Sequence, residues 1–457
     1  MNRIKSITIF FILAGIITAC QKFLEVKPDK SLTVPSNLQD LQSIMDNHSN
    51  FITVSNAGEI SADDYYITDE DYASLSSDWH RRIYAWEKDY LFSDRSWDWA
   101  LMYANPIYYC NTVLEKIKDI ERTMQNKELY DNVKGSARFI RARTLFHATL
   151  IWTEVYDECT AGSTLGLPLR TSIDFNERSV RANLNETFGL ILDDLHESVA
   201  LLPEVSTHVV RPSKPAAYGL LARIYLFMGE YRKALDYADS CLAIKNTLMD
   251  YNDLDVSLAN PIPQYNDEVI HHYAMAADQI LSVPRARIKS EIVDSYDGFD
   301  LRKEVFFVPN EDGSMGFRAR YTGEAVTLFS GIATDEIYLI RAECNARLGN
   351  LNDALADINR LMLKRFQSMN GVSRYKPVAL AEQNAILQFV LKERRKELLF
   401  RGLRWYDLKR LNRDGAGIEM TRRVGDQWRV FLPNDLRYAL PLPEDIIALS
   451  GMEQNPR

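Results

Sequence analysis

The sequence predicts a mostly α-helical protein in which a helical scaffold supports a loop-rich face. Two segments share one pattern of small residues that is typical of helical hairpins, and several others repeat apolar residues at helical spacing. Long polar and aromatic stretches, 45–98 and 246–333, separate these helices. A compact domain seldom tolerates loops of this length unless they are functional, so we expect them to form the working face.

The N-terminus has the features of a secretory signal. Arg3 and Lys5 precede an apolar run over residues 7–19, which is too short to span a bilayer. The run ends at Ala19-Cys20, which resembles a bacterial lipobox. We expect residues 1–19 to be a lipoprotein signal peptide and Cys20 to be acylated, which would anchor the chain to a membrane. The alternative is an ordinary secretory signal followed by a chance cysteine.

Aromatic residues are concentrated between residues 65 and 99. Four of the 7 tryptophans lie there, with tyrosines and charged residues between them. Flat rings with nearby polar groups are the expected form of a sugar-binding site, although such rings can equally fix loops onto helices. The candidate ligand contacts are Trp97, Asp98, Tyr65, Arg81 and Trp86, with Tyr265 and Tyr321 from the second long stretch. Trp97 is the strongest candidate because it is out of phase with the apolar stripe of the helix that follows.

That stripe predicts the first scaffold helix. Tyr103, Ile107, Cys110, Leu114 and Ile117 keep helical spacing. Proline lacks an N–H, so we expect the regular helix to begin at Pro106 with Asn105 as its cap. Further helices are predicted over 139–152 and 185–202.

The two hairpins follow. The segments 221–242 and 340–362 match through small residues, and their glycines, Gly229 and Gly349, align with each other. Glycine permits the tight turn between antiparallel helices, and the pattern is that of a tetratricopeptide-like unit. A long charged helix is predicted over 381–411, with an interruption at Gly402, and a strand beginning at Trp428.

The charged residues of that helix have a structural and a catalytic interpretation. We favour buried ion pairs that fix the last helices to the scaffold, because structural networks imitate active sites. The set comprises Glu393, Arg394, Arg395, Glu397, Arg401, Arg404 and Asp407.

Composition excludes several other classes. The net charge is −9 and no basic stretch is present, which argues against nucleic-acid binding. The cysteines form no C-x-x-C pair, and no nucleophile elbow, H-E-x-x-H, Walker A or EF-hand spacing occurs. We therefore expect no catalytic residue, no cofactor and no metal. A glycoside hydrolase or a tetratricopeptide adaptor that binds proteins remains as an alternative.

Along its whole length the sequence resembles the SusD/RagB family of outer-membrane nutrient-binding lipoproteins. The resemblance is carried by FLEVKPDKSLTVPSNLQDLQSIMDN after Cys20, SWDWALMYANPIYYCNTVLEKI, DEIYLIRAECNARLGNLNDAL, VLKERRKELLFRGLRWYDLKR and the tail LPLPEDI…MEQNP. Their order and spacing make the resemblance specific.

The resemblance implies a fold and a function. The fold would be four tetratricopeptide-like helical pairs in a right-handed scaffold, with a few short strands on the ligand face. Residues 20–457 would form one domain, with scaffold over about 99–245 and 334–411 and insertions over about 45–98 and 246–333. The protein would be a non-catalytic, cell-surface lipoprotein that binds a glycan and delivers it to a SusC-like TonB-dependent transporter. A peptide or another nutrient is the alternative ligand.

Overall fold

Helices dominate the structure, a computed structural model that describes residues 35–92 and 97–457, although not the side chain of Trp97. The prediction of a mostly α-helical protein is confirmed. Within these residues, no helix has both the length and the apolar character needed to cross a membrane. The longer helices are α1 (Leu38–Met45), α2 (Tyr108–Lys116), α3 (Lys127–Trp152), α4 (Leu184–Leu201), α5 (Lys214–Met228), α6 (Tyr231–Ile244), α7 (Thr334–Leu348), α8 (Leu351–Leu363), α9 (Gln383–Glu397) and α10 (Arg404–Arg413).

Both predicted helical hairpins are present. Gly229 ends α5 with φ +87° and Gly349 ends α7 with φ +84°, and a second helix begins two residues after each glycine. This left-handed conformation is the one that glycine adopts readily at a helix C-terminus. Helix α6 packs against α7, and α7 packs against α9, so the hairpins join one helical layer. The count of four tetratricopeptide-like pairs stays a prediction.

The predicted start of the first scaffold helix is wrong. The helix begins at Trp97–Trp99, continues as a π-helix over Ala100–Ile107 and becomes α2 at Tyr108. Pro106 therefore lies inside the helix. A π-helix shifts the backbone bonding to i→i+5, and such a bulge allows the chain to pass a residue that has no N–H to donate.

Three other helix boundaries differ from the expectation. Helix α3 begins at Lys127 rather than at residue 139. Helix α4 begins at Leu184, because the Asn183 side chain accepts a hydrogen bond from the Glu186 N–H and caps the helix. The Glu186 carboxylate in turn accepts from the Asn183 N–H. The charged segment forms two helices, α9 and α10, separated at Gly402, where φ is +74°. The Gly402 N–H donates to the Glu59 carboxylate at 2.9 Å, which ties the break to the N-terminal part of the chain.

Short helices and strands occupy the loop-rich regions. The short α-helices are Ala57–Ser61, Asp69–Ala73, Asp78–Tyr84, Ser290–Val293, Arg302–Phe306 and Glu444–Ser450, and 3-10 turns lie at His48–Asn50, Ile117–Asp119, Tyr251–Asp253 and Leu436–Tyr438. The strands are β1 (Thr53–Val54), β2 (Tyr65–Tyr66), β3 (Leu165–Pro168), β4 (Arg181–Asn183), β5 (Val269–His271), β6 (Ala274–Met275), β7 (Arg287–Ile288), β8 (Phe307–Pro309), β9 (Met315–Phe317), β10 (Leu328–Phe329), β11 (Ile332–Ala333), β12 (Ser368–Met369), β13 (Val372–Ser373), β14 (Met420–Val424) and β15 (Gln427–Phe431). The strand predicted from Trp428 is confirmed as β15.

Two of the small sheets matter for the site. Strands β2, β7, β9 and β8 form a four-stranded sheet in that order, and β14 pairs with β15 as an antiparallel hairpin. The four-stranded sheet joins the first long insertion to the second, because Tyr65 pairs with Ile288 and Tyr66 with Arg287.

Buried ion pairs connect the later helices to the rest of the protein, as the charged set predicts. The completely buried Arg302 donates to Glu393 at 2.6 Å and to Glu397 at 2.9 Å. Arg365 joins Glu397 and Glu268, each at 2.7 Å. Each carboxylate therefore has a cationic partner, which is the condition under which charge is tolerated in a core.

Candidate functional site

A cleft of about 560 Å³ opens between the four-stranded sheet and the β14–β15 hairpin. Clefts of this size are typical of small-molecule binding sites. Its walls combine aromatic rings, hydroxyl groups and charges. The lining residues are Tyr65, Tyr66, Ile67, Thr68, Asp69, Lys289, Ser290, Glu291, Thr421, Arg422, Arg423 and Trp428.

Two exposed rings stand at this cleft. The side chain of Trp428 is 69% exposed and that of Tyr66 is 40% exposed. Large aromatic side chains are usually buried, so exposed rings on a cleft wall need an explanation. A ligand that presents C–H groups to a ring face would cover this apolar surface.

Strand alternation determines which tyrosine faces the cleft. In β2, Tyr65 points inward and has no exposed surface, whereas the neighbouring Tyr66 points outward. The Tyr65 hydroxyl donates to the Ile60 carbonyl at 2.8 Å. Tyr65 therefore supports the cleft from below, and Tyr66 offers its ring to the solvent.

Arg422 fixes the hairpin that carries Trp428. Its guanidinium donates to the carbonyls of Tyr84 (2.6 Å), Ile60 (3.3 Å) and Ala62. It also lies over the rings of Tyr84 at 4.0 Å, Trp86 at 4.5 Å and Tyr65 at 5.2 Å from their centroids. These contacts hold β14 against the N-terminal insertion, so the neighbouring strand presents Trp428 from a fixed base.

The hairpin turn is attached to the opposite wall. The Gly425 N–H donates to the Asp69 carboxylate at 3.0 Å, and the Arg423 guanidinium donates to the Gly425 carbonyl at 2.9 Å. Asp69 begins the short helix that follows β2. The two walls of the cleft are therefore connected by a hydrogen bond at one end.

A buried acidic group lies beneath the floor. Asp63 accepts from Arg404 at 2.7 Å, and Asp64 accepts from Arg395 at 2.8 Å. Burial opposes ionisation of Asp63, but the Arg404 guanidinium holds its pKa below the ordinary value. Burial raises the pKa of Asp64, and it raises the pKa of the neighbouring Glu59 to about 8, with the Asp64 charge adding to the effect. Glu59 is therefore largely protonated at neutral pH.

Lys289 follows strand β7 and reaches the cleft from its floor. Its backbone N–H donates to the Asp64 carbonyl at 3.1 Å. Burial lowers the pKa of its ammonium group, and Asp63 and Glu291 oppose that effect. The cleft thus contains a partly desolvated cation beside hydroxyl groups and aromatic rings.

The structure brings together only part of the predicted set. Tyr65 and Trp86 both lie beneath the cleft, against Arg422. Trp86 is 4% exposed, and its indole N–H donates to the Ser61 carbonyl at 2.9 Å. Their contribution to binding stays a prediction, and we expect it to act through Arg422.

The other predicted contacts lie away from this cleft. Arg81 bonds to the Leu75 carbonyl and to Asp78, both at 2.5 Å, on the short helix Asp78–Tyr84. Tyr265 is 39% exposed and packs against His208 and His272. Tyr321 is buried and donates to Glu268 at 2.8 Å.

Asp98 is also buried. The Trp97 side chain and Cys20 lie outside the described residues. The roles proposed for them in ligand contact and in lipidation therefore remain predictions.

Sequence reasoning missed several members of the site. Trp428, Arg422 and Lys289 were not among the candidates. The sequence does contain a signal for Trp428. This residue lies in the short segment Gln-Trp-Arg-Val-Phe, and the strand that pairs with this segment also carries charged side chains. A tryptophan at such a position faces solvent on a two-stranded hairpin and has no core to enter.

A second, smaller cleft of about 220 Å³ lies between the first scaffold helix and the 168–179 segment. Phe175 is 77% exposed there and stacks on Tyr108 with 5.1 Å between ring centroids. Because it has an exposed ring of its own, this second cleft can serve as a control for the larger cleft in binding experiments.

In the described ranges, no group of three or more His, Cys, Asp or Glu side chains is arranged to hold a metal ion. Cys110, Cys241 and Cys344 are buried free thiols, and Cys159 is exposed.

Comparisons with known proteins agree on one family. A family model described as "Starch-binding associating with outer membrane" matches residues 22–226, and the model of the SusD family matches residues 334–456. A SusD-like protein from Formosa agariphila is 23% identical over 68% of this chain and 70% of its own length.

Solved structures share the fold. A putative sugar binding protein from Bacteroides vulgatus superposes with a TM-score of 0.73 over 93% of this chain and 99% of that one, at 19% identity. A SusD superfamily protein from Bacteroides thetaiotaomicron gives 0.72 over 92% and 100%, at 21% identity.

Proposed function

Because the chain belongs to the SusD/RagB family, we propose that it binds a glycan in the cleft beneath Trp428 and delivers it to a SusC-like TonB-dependent transporter. The observation that carries the binding proposal is the pair of exposed rings, Trp428 and Tyr66, on a cleft that also contains hydroxyl groups and charges. Sugar rings stack on such faces while their hydroxyls bond to the polar rim.

The rigid base of the cleft supports this proposal. A strand that is already fixed loses little freedom when a ligand stacks on a ring that it carries. The three carbonyl contacts of Arg422 provide that preorganisation for the hairpin. Tyr65 and Trp86 contribute from below, and Trp97 is proposed as an additional contact from the neighbouring segment.

The protein acts without catalysis in this proposal. Beneath the cleft, Asp63 and Asp64 are held in ion pairs with Arg404 and Arg395, and one oxygen of Glu59 accepts from the Gly402 N–H. Incubating the protein with any glycan that it binds should release no shorter products. Product release that a point mutation in this chain abolishes would contradict this part of the proposal.

The test of binding is Trp428→Ala in the full chain, purified in detergent. We expect affinity for a bound polysaccharide to fall at least about tenfold, since a stacked aromatic anchor contributes about 2 kcal/mol or more. The melting temperature should change little, because the ring is mostly exposed. Isothermal titration and a thermal melt measure the two quantities.

Phe175→Ala is the matched control, because it removes an exposed ring from the other cleft. Loss of binding in this variant, with Trp428→Ala unaffected, would move the site to the second cleft. Trp97→Ala in the same titration tests the sequence-based candidate.

Location is tested separately. We propose that Cys20 is acylated and anchors the protein to the outer membrane, facing the cell exterior. Cys20→Ala should then appear in the soluble fraction after cell lysis. A variant that stays firmly in the membrane fraction would contradict the lipid anchor.

A further inference from the structure

Lys289 carries a partly buried charge that no direct ion pair matches in the described residues, although Asp63 and Glu291 act on it at longer range. Its Nζ forms no hydrogen bond and no ion pair with any residue in 35–92 or 97–457. It nevertheless lines the cleft and is partly buried. A cation that is removed from water without a counter-charge is unfavourable, and a bound anion would relieve that cost.

Arg422 adds a second cation at the same floor. It is 3% exposed, and across the described residues its guanidinium bonds to carbonyl oxygens and contacts rings but has no carboxylate within ion-pair distance. Both side chains line the cleft, and the charge of Arg422 contributes to lowering the pKa of Lys289. The floor therefore carries two positive charges close together.

The neighbouring carboxylates do not neutralise them. Asp63 and Asp64 are matched by Arg404 and Arg395. Glu59, with its pKa near 8, is largely neutral at pH 7. Asp63 still acts on Lys289 at longer range, but in the described residues neither Lys289 nor Arg422 forms an ion pair with these buried groups.

The acidic side chains on the rim of the cleft have a weaker effect on the positive charge of its floor. Asp69 is exposed, one of its oxygens accepts from Gly425, and Arg423 lies 4.0 Å from the other. Glu291 is exposed to solvent. Interactions of exposed charges are screened, so the floor keeps a positive potential that a ligand entering the cleft would meet.

From this charge arrangement we infer that the glycan bound in the cleft is anionic, and that its carboxylate or sulfate-ester group pairs with Lys289. This inference rests on the proposed glycan-binding function and names the substrate class. Trp428 and Tyr66 then hold the sugar ring, while the acidic substituent reaches down to the ammonium group.

The experiment uses matched polysaccharides that differ in charge. Dextran, carboxymethyl dextran and dextran sulfate share one backbone, and polygalacturonate is compared with its methyl ester. Poly-L-glutamate serves as an acidic peptide probe. Affinity gels and calorimetry in 150 mM NaCl compare the wild-type chain with Lys289→Gln, Lys289→Arg and Lys118→Gln, the last removing an exposed lysine outside the cleft.

In at least one series, the anionic member should bind the wild type about tenfold or more tightly than the neutral member, which is the usual contribution of a hydrogen bond to a charged group. Lys289→Gln should abolish that preference, Lys289→Arg should retain most of it, and Lys118→Gln should leave it unchanged. The carboxymethyl and sulfate arms show which acidic group is preferred, and a thermal melt confirms that each variant is folded.

Several outcomes would overturn the inference. If charged and neutral members bind equally and Lys289→Gln has no effect, the ligand is neutral while the glycan function stands. Equal losses in Lys289→Gln and Lys118→Gln would show non-specific attraction. A preference for poly-L-glutamate that depends on Lys289 would assign the cleft to acidic peptides, and failure to bind every polysaccharide would overturn the glycan function as well.

Discussion

Arg422 shows how one residue can position a binding surface. It lies on the buried side of β14, between the outward-facing Thr421 and Arg423. Its guanidinium donates to three backbone carbonyls, those of Tyr84, Ala62 and Ile60, and the last of these also accepts from the Tyr65 hydroxyl. Its removal therefore affects both the stability of the region and the placement of Trp428.

We predict that Arg422→Met lowers both the free energy of unfolding and ligand affinity. Each carbonyl left without a partner costs about 1 to 3 kcal/mol, and the hairpin loses its anchor. Arg423→Met, on the exposed face of the same strand, is the control for stability and should change it little. Denaturant titration and calorimetric binding measure the effects. Equal stability of the two variants would show that the guanidinium does not hold the hairpin.

Glu59 is a second residue whose environment sets its chemistry. One of its oxygens accepts from the Gly402 N–H, and burial is the main cause of its raised pKa. The folded-state pKa of about 8 exceeds the ordinary value of 4.5 for an exposed glutamate. The folded state therefore binds this proton more tightly than the unfolded state.

This difference predicts a pH-dependent stability. The contribution of Glu59 is fully present below pH 4.5 and is lost as the pH rises towards and through about 8. Glu59→Gln keeps a neutral acceptor for Gly402, so the variant should match the wild type near pH 4, where Glu59 is mostly protonated in both the folded and the unfolded state. At pH 8.5 it should be more stable than the wild type by about 1 kcal/mol or more. A stability difference that stays constant over this range would contradict the proton linkage.

At the scale of elements, the two helical hairpins make a natural comparison. A Cβ added at Gly349 would meet no atom within 4 Å, whereas at Gly229 it would lie 2.9 Å from an Arg413 guanidinium nitrogen. That side chain donates to the carbonyls of Phe227 and Tyr156. The two turns have the same backbone conformation and different surroundings.

We predict that Gly349→Ala costs about 1 kcal/mol of unfolding free energy, the strain of a left-handed backbone alone. Gly229→Ala should cost more, because the displaced arginine loses its bonds to two carbonyls. Urea titrations of both variants give the difference. Equal costs would mean that the Arg413 side chain moves aside freely.

The same elements show what the sequence can predict. Local patterns predict the hairpins, β15 and the structural role of the charged helices. Apolar spacing, glycine turns and paired charges can each be recognised within a short stretch of sequence. The helix start at Pro106 was mispredicted because the π-helical bonding that accommodates the proline depends on the surrounding packing.

The site was less predictable than the scaffold. Its members come from residues 65–69, 289–291 and 421–428, and only folding brings these segments together. Tyr65 and Trp86 were predicted as ligand contacts because residues 65–99 are rich in aromatic side chains, yet most rings in that segment are buried in the core. Exposure, which identifies Trp428 and Tyr66, depends on sheet pairing that a single sequence does not specify.

At the scale of the whole molecule, buried charges join distant parts of the chain. Arg302 belongs to the second long insertion, while its partners Glu393 and Glu397 lie on α9. Arg365, just after α8, extends the network from Glu397 to Glu268. The insertion is thus fixed to the scaffold by contacts that cannot be broken singly without leaving a buried charge.

We therefore predict that residues 20–457 unfold as one unit and that Arg302→Met destabilises the whole of it. Removal of one partner from a buried ion network typically costs about 3 to 5 kcal/mol. Arg122→Met, which removes a surface arginine paired with Asp131, should change stability little. Guanidinium titrations followed by tryptophan fluorescence and by circular dichroism should give coincident transitions for the wild type and for both variants, with only Arg302→Met shifted to lower denaturant. If the second insertion were an independent domain, Arg302→Met would instead produce a partial transition at low denaturant. The transitions followed by fluorescence and by circular dichroism would then have different midpoints.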